Sequence, residues 1–143
     1  MNERTRIQIP FTNSQGAEEI ETLWAIPRED GYELDNIPFH AQDIALGDVV
    51  SARPDEHGAL RYVELVRPSG HSTIQLWFAR PEDVEPIRAA LRQRGCASEL
   101  SELPRLVAVD VPPEVSYPPL KAFFEEEERN GRFEYQEACL GFE

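Results

Sequence analysis

The stretch TIQLWFARPEDVEPIRAALRQRG (residues 73–95) decides the fold class, because the hydrophobic period changes within it. From Thr73 to Ala79 the apolar residues alternate. Ile74, Leu76 and Phe78 share one face and Trp77 lies on the other, which is the two-residue period of a strand. From Val84 the spacing becomes helical, with Val84, Ile87 and Leu91 at i, i+3 and i+7. Pro81 and Pro86 fit only near the first turn, where the missing N–H costs nothing, and Gly95 is a natural stop. The spacing predicts a strand over 73–79 and a helix over 81–94.

Toward the N-terminus every run reads as a strand. Glu21–Pro27 and Tyr32–Phe39 flank a turn that ends in Asp30-Gly31, a hairpin signal. Asp48–Arg53 and Leu60–Val66 flank Pro54–Gly58, all good turn formers. Val49 and Val50 fall on opposite faces, so that strand is expected to be buried on both sides. Trp24, Leu34, Val49, Val63 and Leu76 are the expected core of this half. Toward the C-terminus, Leu106–Val111 is a strand closed by Pro112-Pro113. Pro118–Asn130 is a helix ended by Asn130-Gly131, and Phe133–Cys139 is the last strand. The predicted fold is α+β: an antiparallel N-terminal β-sheet or partial barrel, followed by a ferredoxin-like βαβαβ layer. Residues 1–20 read as a flexible lead-in with one short strand, Ile7–Phe11, and residues 21–143 as a single α+β domain.

The charge narrows the partners. The chain of 143 residues carries a formal net charge of -13. Residues 1–50 contribute -7, residues 51–100 nothing and residues 101–143 the remaining -6. Phosphate backbones are bound through Lys and Arg, so this balance argues against nucleic acid and anionic membrane surfaces as partners. A basic protein partner would instead be attracted and steered. No run approaches the roughly 18 apolar residues of a membrane span, and Met1–Arg6 lacks the apolar core of a signal peptide. A cytoplasmic protein is the expectation.

No constellation of catalytic residues is evident, so the sequence reads as a binding protein and not as an enzyme. His40, His57 and His71 lack metal-ligand spacing, and no metal or cofactor is implied. Ser69-Gly70-His71 reads as a surface turn. Cys96 and Cys139 are too few and too far apart for a disulfide framework. Cys96 follows a helix C-terminus, whose carbonyl end raises a thiol pKa, the wrong direction for a nucleophile.

Two sets of residues are candidates for binding. Glu125, Glu126 and Glu128 point to solvent from a helix whose Leu120, Phe123 and Phe124 face inward, with Glu127 flanking the apolar face. They read either as a solvated face or as an acidic knob for a basic partner. The second acidic segment, Glu18–Glu21, offers Glu18 and Glu19 for the same role. The alternative is a small-molecule-binding sensor or enzyme with a pocket between the sheet and the C-terminal helices, and with Asn36, His40, Asp43 and His71 as its polar groups. Asp43 and Asp48 lie near enough in sequence to pair with His40. Within YELDNIPF (residues 32–39), Pro38 forces Ile37 toward an extended backbone. Asn36 is placed to satisfy backbone groups where the strand ends.

The run ETLWAIPREDGYELDNIPFHAQDIALGDVVSA (residues 21–52) resembles domain-of-unknown-function family 4265. The likeness rests on Leu23-Trp24-Ala25, Leu34-Asp35-Asn36-Ile37-Pro38-Phe39 and Gly47-Asp48-Val49-Val50. It extends over about residues 21–140, with its specific motifs in the first third. The family groups small stand-alone bacterial proteins with no agreed activity. The resemblance therefore implies a fold and a bacterial cytoplasmic setting but no catalytic residue. Small acidic proteins of this kind look like immunity proteins encoded beside secreted toxins. The expected function is therefore an immunity protein that binds a toxin domain, encoded by the adjacent gene, and occludes its basic active-site face.

Overall fold

The computed structural model describes residues 3–142. Its first half is a closed barrel of five strands: β1 (Thr5–Thr12), β2 (Glu18–Arg28), β3 (Gly31–Leu34), β4 (Val49–Pro54) and β5 (Leu60–Arg67). The neighbours pair antiparallel, and the barrel closes by a short parallel contact in which Ile7 and Gln8 of β1 face Leu60 and Arg61 of β5. The second half alternates strand and helix: β6 (Ser72–Phe78), α1 (Val84–Gln93), β7 (Ser98–Leu100), β8 (Leu106–Val111), α2 (Tyr117–Arg129) and β9 (Phe133–Cys139). Its four strands form one antiparallel sheet in the order β7-β8-β6-β9. The chain is thus α+β, with mostly antiparallel strands in two sheets and two helices. Pro81–Asp83 forms a single 3-10 turn ahead of α1.

Alternation along β6 explains the layering. Ile74, Leu76 and Phe78 are fully buried with Ile87, Leu91, Leu120 and Phe124, so both helices cover that face. Thr73, Gln75 and Trp77 point the other way. There the loop 35–48 covers the sheet: Thr73 Oγ1 donates to the Ile44 carbonyl, and Gln75 Nε2 to those of Pro38 and Ala41. The helices and the barrel therefore lie on opposite faces of the second sheet.

Two buried carboxylates shape that loop. Glu21 points inward from β2 and accepts the backbone N–H groups of Phe39, His40 and Ala41 at 2.6, 3.1 and 2.9 Å. Asp48 accepts from Ala45 N–H, Ser69 N–H and the Ser69 hydroxyl at 2.8–2.9 Å. A carboxylate with several backbone donors replaces the hydration it loses on burial. Glu21 is therefore not part of the acidic surface of its segment, and Asp48 does not pair with His40.

Several expectations need correction. The strand expected over Tyr32–Phe39 ends at Leu34. Asn36 ends it as anticipated, its Oδ1 accepting the Trp24 N–H at 2.7 Å. Leu34, Val49 and Leu76 are buried, and Val49 and Val50 are both fully so. Trp24, however, lies on the outer barrel face, half-buried between the guanidinium groups of Arg4 and Arg6. The smaller Leu23 and Ala25 fill the narrow interior instead. Val63 is 43% exposed, because β5 beyond Arg61 pairs with β4 alone and no described element covers its outer face. The segment read as a lead-in contains β1 and the start of β2, so it belongs to the barrel. Strand β7 was not anticipated, since three residues are too few to display a period.

Candidate functional site

On the helix side an open groove of about 600 Å³ lies between α2 and the ends of β8 and β9. Val111, Val115, Leu140 and Phe142 give it an apolar floor. Phe142 is 63% exposed, with its ring 5.4 Å from that of Tyr117. Lys121, Glu125 and Glu137 stand at the rim. The Tyr117 hydroxyl donates to Glu137 at 2.5 Å, and Lys121 Nζ lies 3.5 Å from the same carboxylate. Burial first, and the Glu137 carboxylate next, push the Tyr117 pKa up, so the phenol stays protonated as a donor.

The acidic residues of α2 divide by role. Glu125 and Glu126 are exposed and make no ion pair or side-chain hydrogen bond among the described residues. Glu127 is half-buried against Arg132. Glu128 is exposed, yet its carboxylate accepts the Tyr135 N–H at 3.0 Å and braces α2 against β9. Glu18 and Glu19 sit on β2, across the second sheet from α2, so the two acidic clusters do not form one surface. Glu19 also accepts from the Asn13 amide at 2.8 Å.

The four polar residues nominated for a pocket are not gathered into one. Asn36 is engaged by the Trp24 N–H and by Glu99 of β7, a carboxyl whose pKa is raised by burial. Asp43 is exposed, in the left-handed region at φ 67°, with its N–H on the Ala138 carbonyl. His71 lies against Asp110, with Nδ1 2.7 Å from Oδ1. Of the four, His40 lines a second cleft, of about 850 Å³, between the β1–β2 hairpin and the barrel-facing side of the second sheet. There its ring stacks on Phe11, 4.7 Å between centroids and 7° from parallel.

Ser69, His71 and Asp110 are the right residue types for a nucleophilic relay, but their bonds are those of a turn. A relay needs the serine proton directed at the imidazole. Here Ser69 Oγ is bonded to the Leu46 carbonyl and Asp48, and it accepts the backbone N–H of His71 at 3.2 Å. Burial raises the Asp110 pKa, with the His71 contact opposing it. Cys96 and Cys139 are free. Burial pushes both thiols up to about 11, away from nucleophilic character. The direction for Cys96 is the expected one, with desolvation as its largest cause and the Asp110 carboxylate next. Among the described residues no three His, Cys, Asp or Glu side chains gather as a metal site, and no helix is long and apolar enough to cross a membrane.

The groove floor was the main feature missed in the sequence. Its residues come from the end of β8, the turn after it, α2 and the segment after β9, and no spacing rule connects them. Pro112-Pro113, read as a strand terminator, lines it.

A comparison with curated proteins finds no match. Among solved structures, the chain is similar to one described as "Novel crystal structure of a hypothetical protein from Neisseria gonorrhoeae". The identity is 23% over 99% of this chain and 98% of that one, with a TM-score of 0.86, a likeness of fold. The family likeness read from residues 21–52 extends across most of the chain: the model described as Domain of unknown function (DUF4265) matches residues 21–135, and the protein belongs to that family.

Proposed function

We propose that this protein is an acidic binding protein whose partner presents a basic surface, and that the contact is made at the groove beside α2. The observation that carries the reading is the pairing of an apolar floor with carboxylates at the rim. Val111, Val115, Leu140 and the exposed Phe142 offer an anchor pocket, while Glu125 places negative charge at its edge; Glu137, also at the rim, is already met by Tyr117 and Lys121. A lysine or arginine from a partner fits both parts, laying its aliphatic stem on the floor and its charged head at Glu125. Glu126 adds long-range attraction from the neighbouring exposed turn.

In its finer form the proposal is an immunity protein of the bacterial cytoplasm, which occludes the basic active-site face of a toxin encoded by the adjacent gene. The net charge of -13 supports a basic partner. A finer fold reading goes with it, that the second sheet and its helices form a ferredoxin-like layer. The succession β6-α1-β7-β8-α2-β9 and the strand order β7-β8-β6-β9 support that reading, with one strand more than βαβαβ.

The test is binding kinetics against the product of the adjacent gene at low and high salt. The double reversal Glu125→Lys and Glu126→Lys is expected to slow association by about two- to fivefold per charge, the range for exposed pairs. High salt should reduce the unaltered protein to a similar rate. Association that ignores both salt and the reversal removes this face from the contact. Absence of binding to that product removes the immunity reading.

A further inference from the structure

The second cleft has a composition that the groove beside α2 does not share. One wall is the β1–β2 hairpin with Phe11, Asn13 and Glu19; the other is the sheet face with Gln75, Trp77, Glu134 and Gln136. Phe39, His40 and Gln42 of the loop 35–48 close its end. We propose that this cleft binds a small organic cation of the alkylammonium type.

Three observations converge on that class. The first is aromatic. Trp77 is 41% exposed on a sheet face where Thr73 and Gln75 are buried, and the stacked Phe11–His40 pair and Phe39 line the same space. Aromatic faces carry negative potential and attract cations. The Trp77 ring already carries one within the protein, the Arg105 guanidinium 5.7 Å from its centroid. Arg105 is not among the cleft's wall residues, and its Nη1 is held by the Ala79 carbonyl.

The second is charge. Glu19 and Glu134 are the carboxylates of the lining, and no Lys or Arg is among its residues. Within the lining an anionic ligand would meet no Lys or Arg, whereas a cation would meet the carboxylates of Glu134 and of Glu19, which also accepts from the Asn13 amide.

The third is the polarity of the amides. Gln75 Nε2 donates to the Pro38 and Ala41 carbonyls. Gln42 Nε2 donates to the His40 carbonyl and, at 3.4 Å, to Gln75 Oε1. Gln136 Nε2 reaches Gln42 Oε1 at 3.5 Å. These last two contacts are long, but all run in one sense, with donors directed into the protein. Gln136, at the outer end of the chain, lines the cleft, and its Oε1 accepts no hydrogen bond among the described residues, which leaves it as an acceptor for a hydroxyl or ammonium donor.

The experiment is an NMR titration that follows the indole N–H signals of Trp77 and Trp24, with choline as the probe. Its uncharged isostere 3,3-dimethyl-1-butanol and glucose are the comparison ligands. Trp24 lies on the outer barrel face, outside this cleft's lining, and serves as the reference. Choline should move the Trp77 signal and leave Trp24 in place, with the isostere weaker by about tenfold. Trp77→Leu, which keeps apolar bulk, should weaken choline binding, read at the Gln136 side-chain amide, by about tenfold. Glu19→Gln with Glu134→Gln should weaken it by about threefold, while Glu125→Gln in the other groove should not change it. Equal shifts with the isostere or glucose would overturn the assignment of a cation. A response at Trp24 as large as at Trp77, unchanged affinity in Trp77→Leu, or no response of Trp77 at all would overturn the site.

Discussion

Substituting Glu21 tests the packing of the loop 35–48 against both halves of the molecule. In Glu21→Ala three backbone N–H groups lose their acceptor: those of Phe39, His40 and Ala41. Phe39 and His40 are half-buried, so water replaces part of what they lose. Ala41 is 1% exposed and its N–H stays without a partner. A hydrogen bond to a charged group contributes roughly 1.5–3 kcal/mol, and an orphaned buried donor costs about 1–3 kcal/mol. Counting Ala41 in full and the other two in part, Glu21→Ala should lose about 3–5 kcal/mol. Glu21→Gln keeps one acceptor oxygen but turns an NH2 toward a donor, and should lose about 2 kcal/mol. Exposed Glu18→Ala, three residues away, should stay within about 0.5 kcal/mol. Urea unfolding gives the three values. Because the loop carries His40, the ring-proton shifts that report its stacking on Phe11 should change in Glu21→Ala as well. A loss below about 1 kcal/mol, or an undisturbed His40, would refute the view that this carboxylate holds the loop.

Two further outcomes follow from other residues. The Asp110 pKa is raised above 3.8, burial being the main cause, so the folded state favours the protonated carboxyl. That contribution to stability is complete below 3.8 and is lost as pH rises through the folded value. Asp110→Asn removes it, so urea unfolding across the acid range should show the variant gaining on the unaltered protein as pH climbs above 3.8; a relative loss would contradict the burial argument. Gly31 has φ +155°, and a Cβ there would lie 2.5 Å from the Val50 carbonyl oxygen of β4. Since that neighbour is backbone, Gly31→Ala should cost about 1–3 kcal/mol in denaturant unfolding, and an unchanged midpoint would show that the β3–β4 contact is slack.

The elements legible in the sequence were those long enough to repeat a period. Residues 73–95 announce β6 and α1 because three apolar positions fix a strand face and three fix a helix face. Asp30-Gly31 announces its hairpin because few pairs allow that turn. The inward face of β2 was less legible, since alternation permits either Leu23 and Ala25 or Trp24 and Ile26 to face the core. The barrel radius decides, and that is a property of the closed sheet and not of the strand. The candidate site was legible only in its charge. Glu125 and Glu126 follow from helix geometry, but Val111, Leu140 and Phe142 meet beneath them through pairing across the whole second sheet. Of the four pocket residues proposed, three had local duties that hydrogen bonds reveal and letters do not.

The net charge of -13 overstates what a partner meets. Glu21 and Asp48 are buried and committed to the loop 35–48, and Asp110 is buried beside His71. Glu127 is held by Arg132, and Glu128 by the Tyr135 N–H. Two carboxylates in one acidic-looking run, and one in another, are therefore parts of the fold. A substitution scan guided by charge alone would place Glu21, Glu127 and Glu128 among the docking residues and report losses that come from unfolding. Glu125 and Glu126 carry no such duty among the described residues. An effect of reversing them on association, at unchanged unfolding midpoint, is then evidence about the partner and not about the domain.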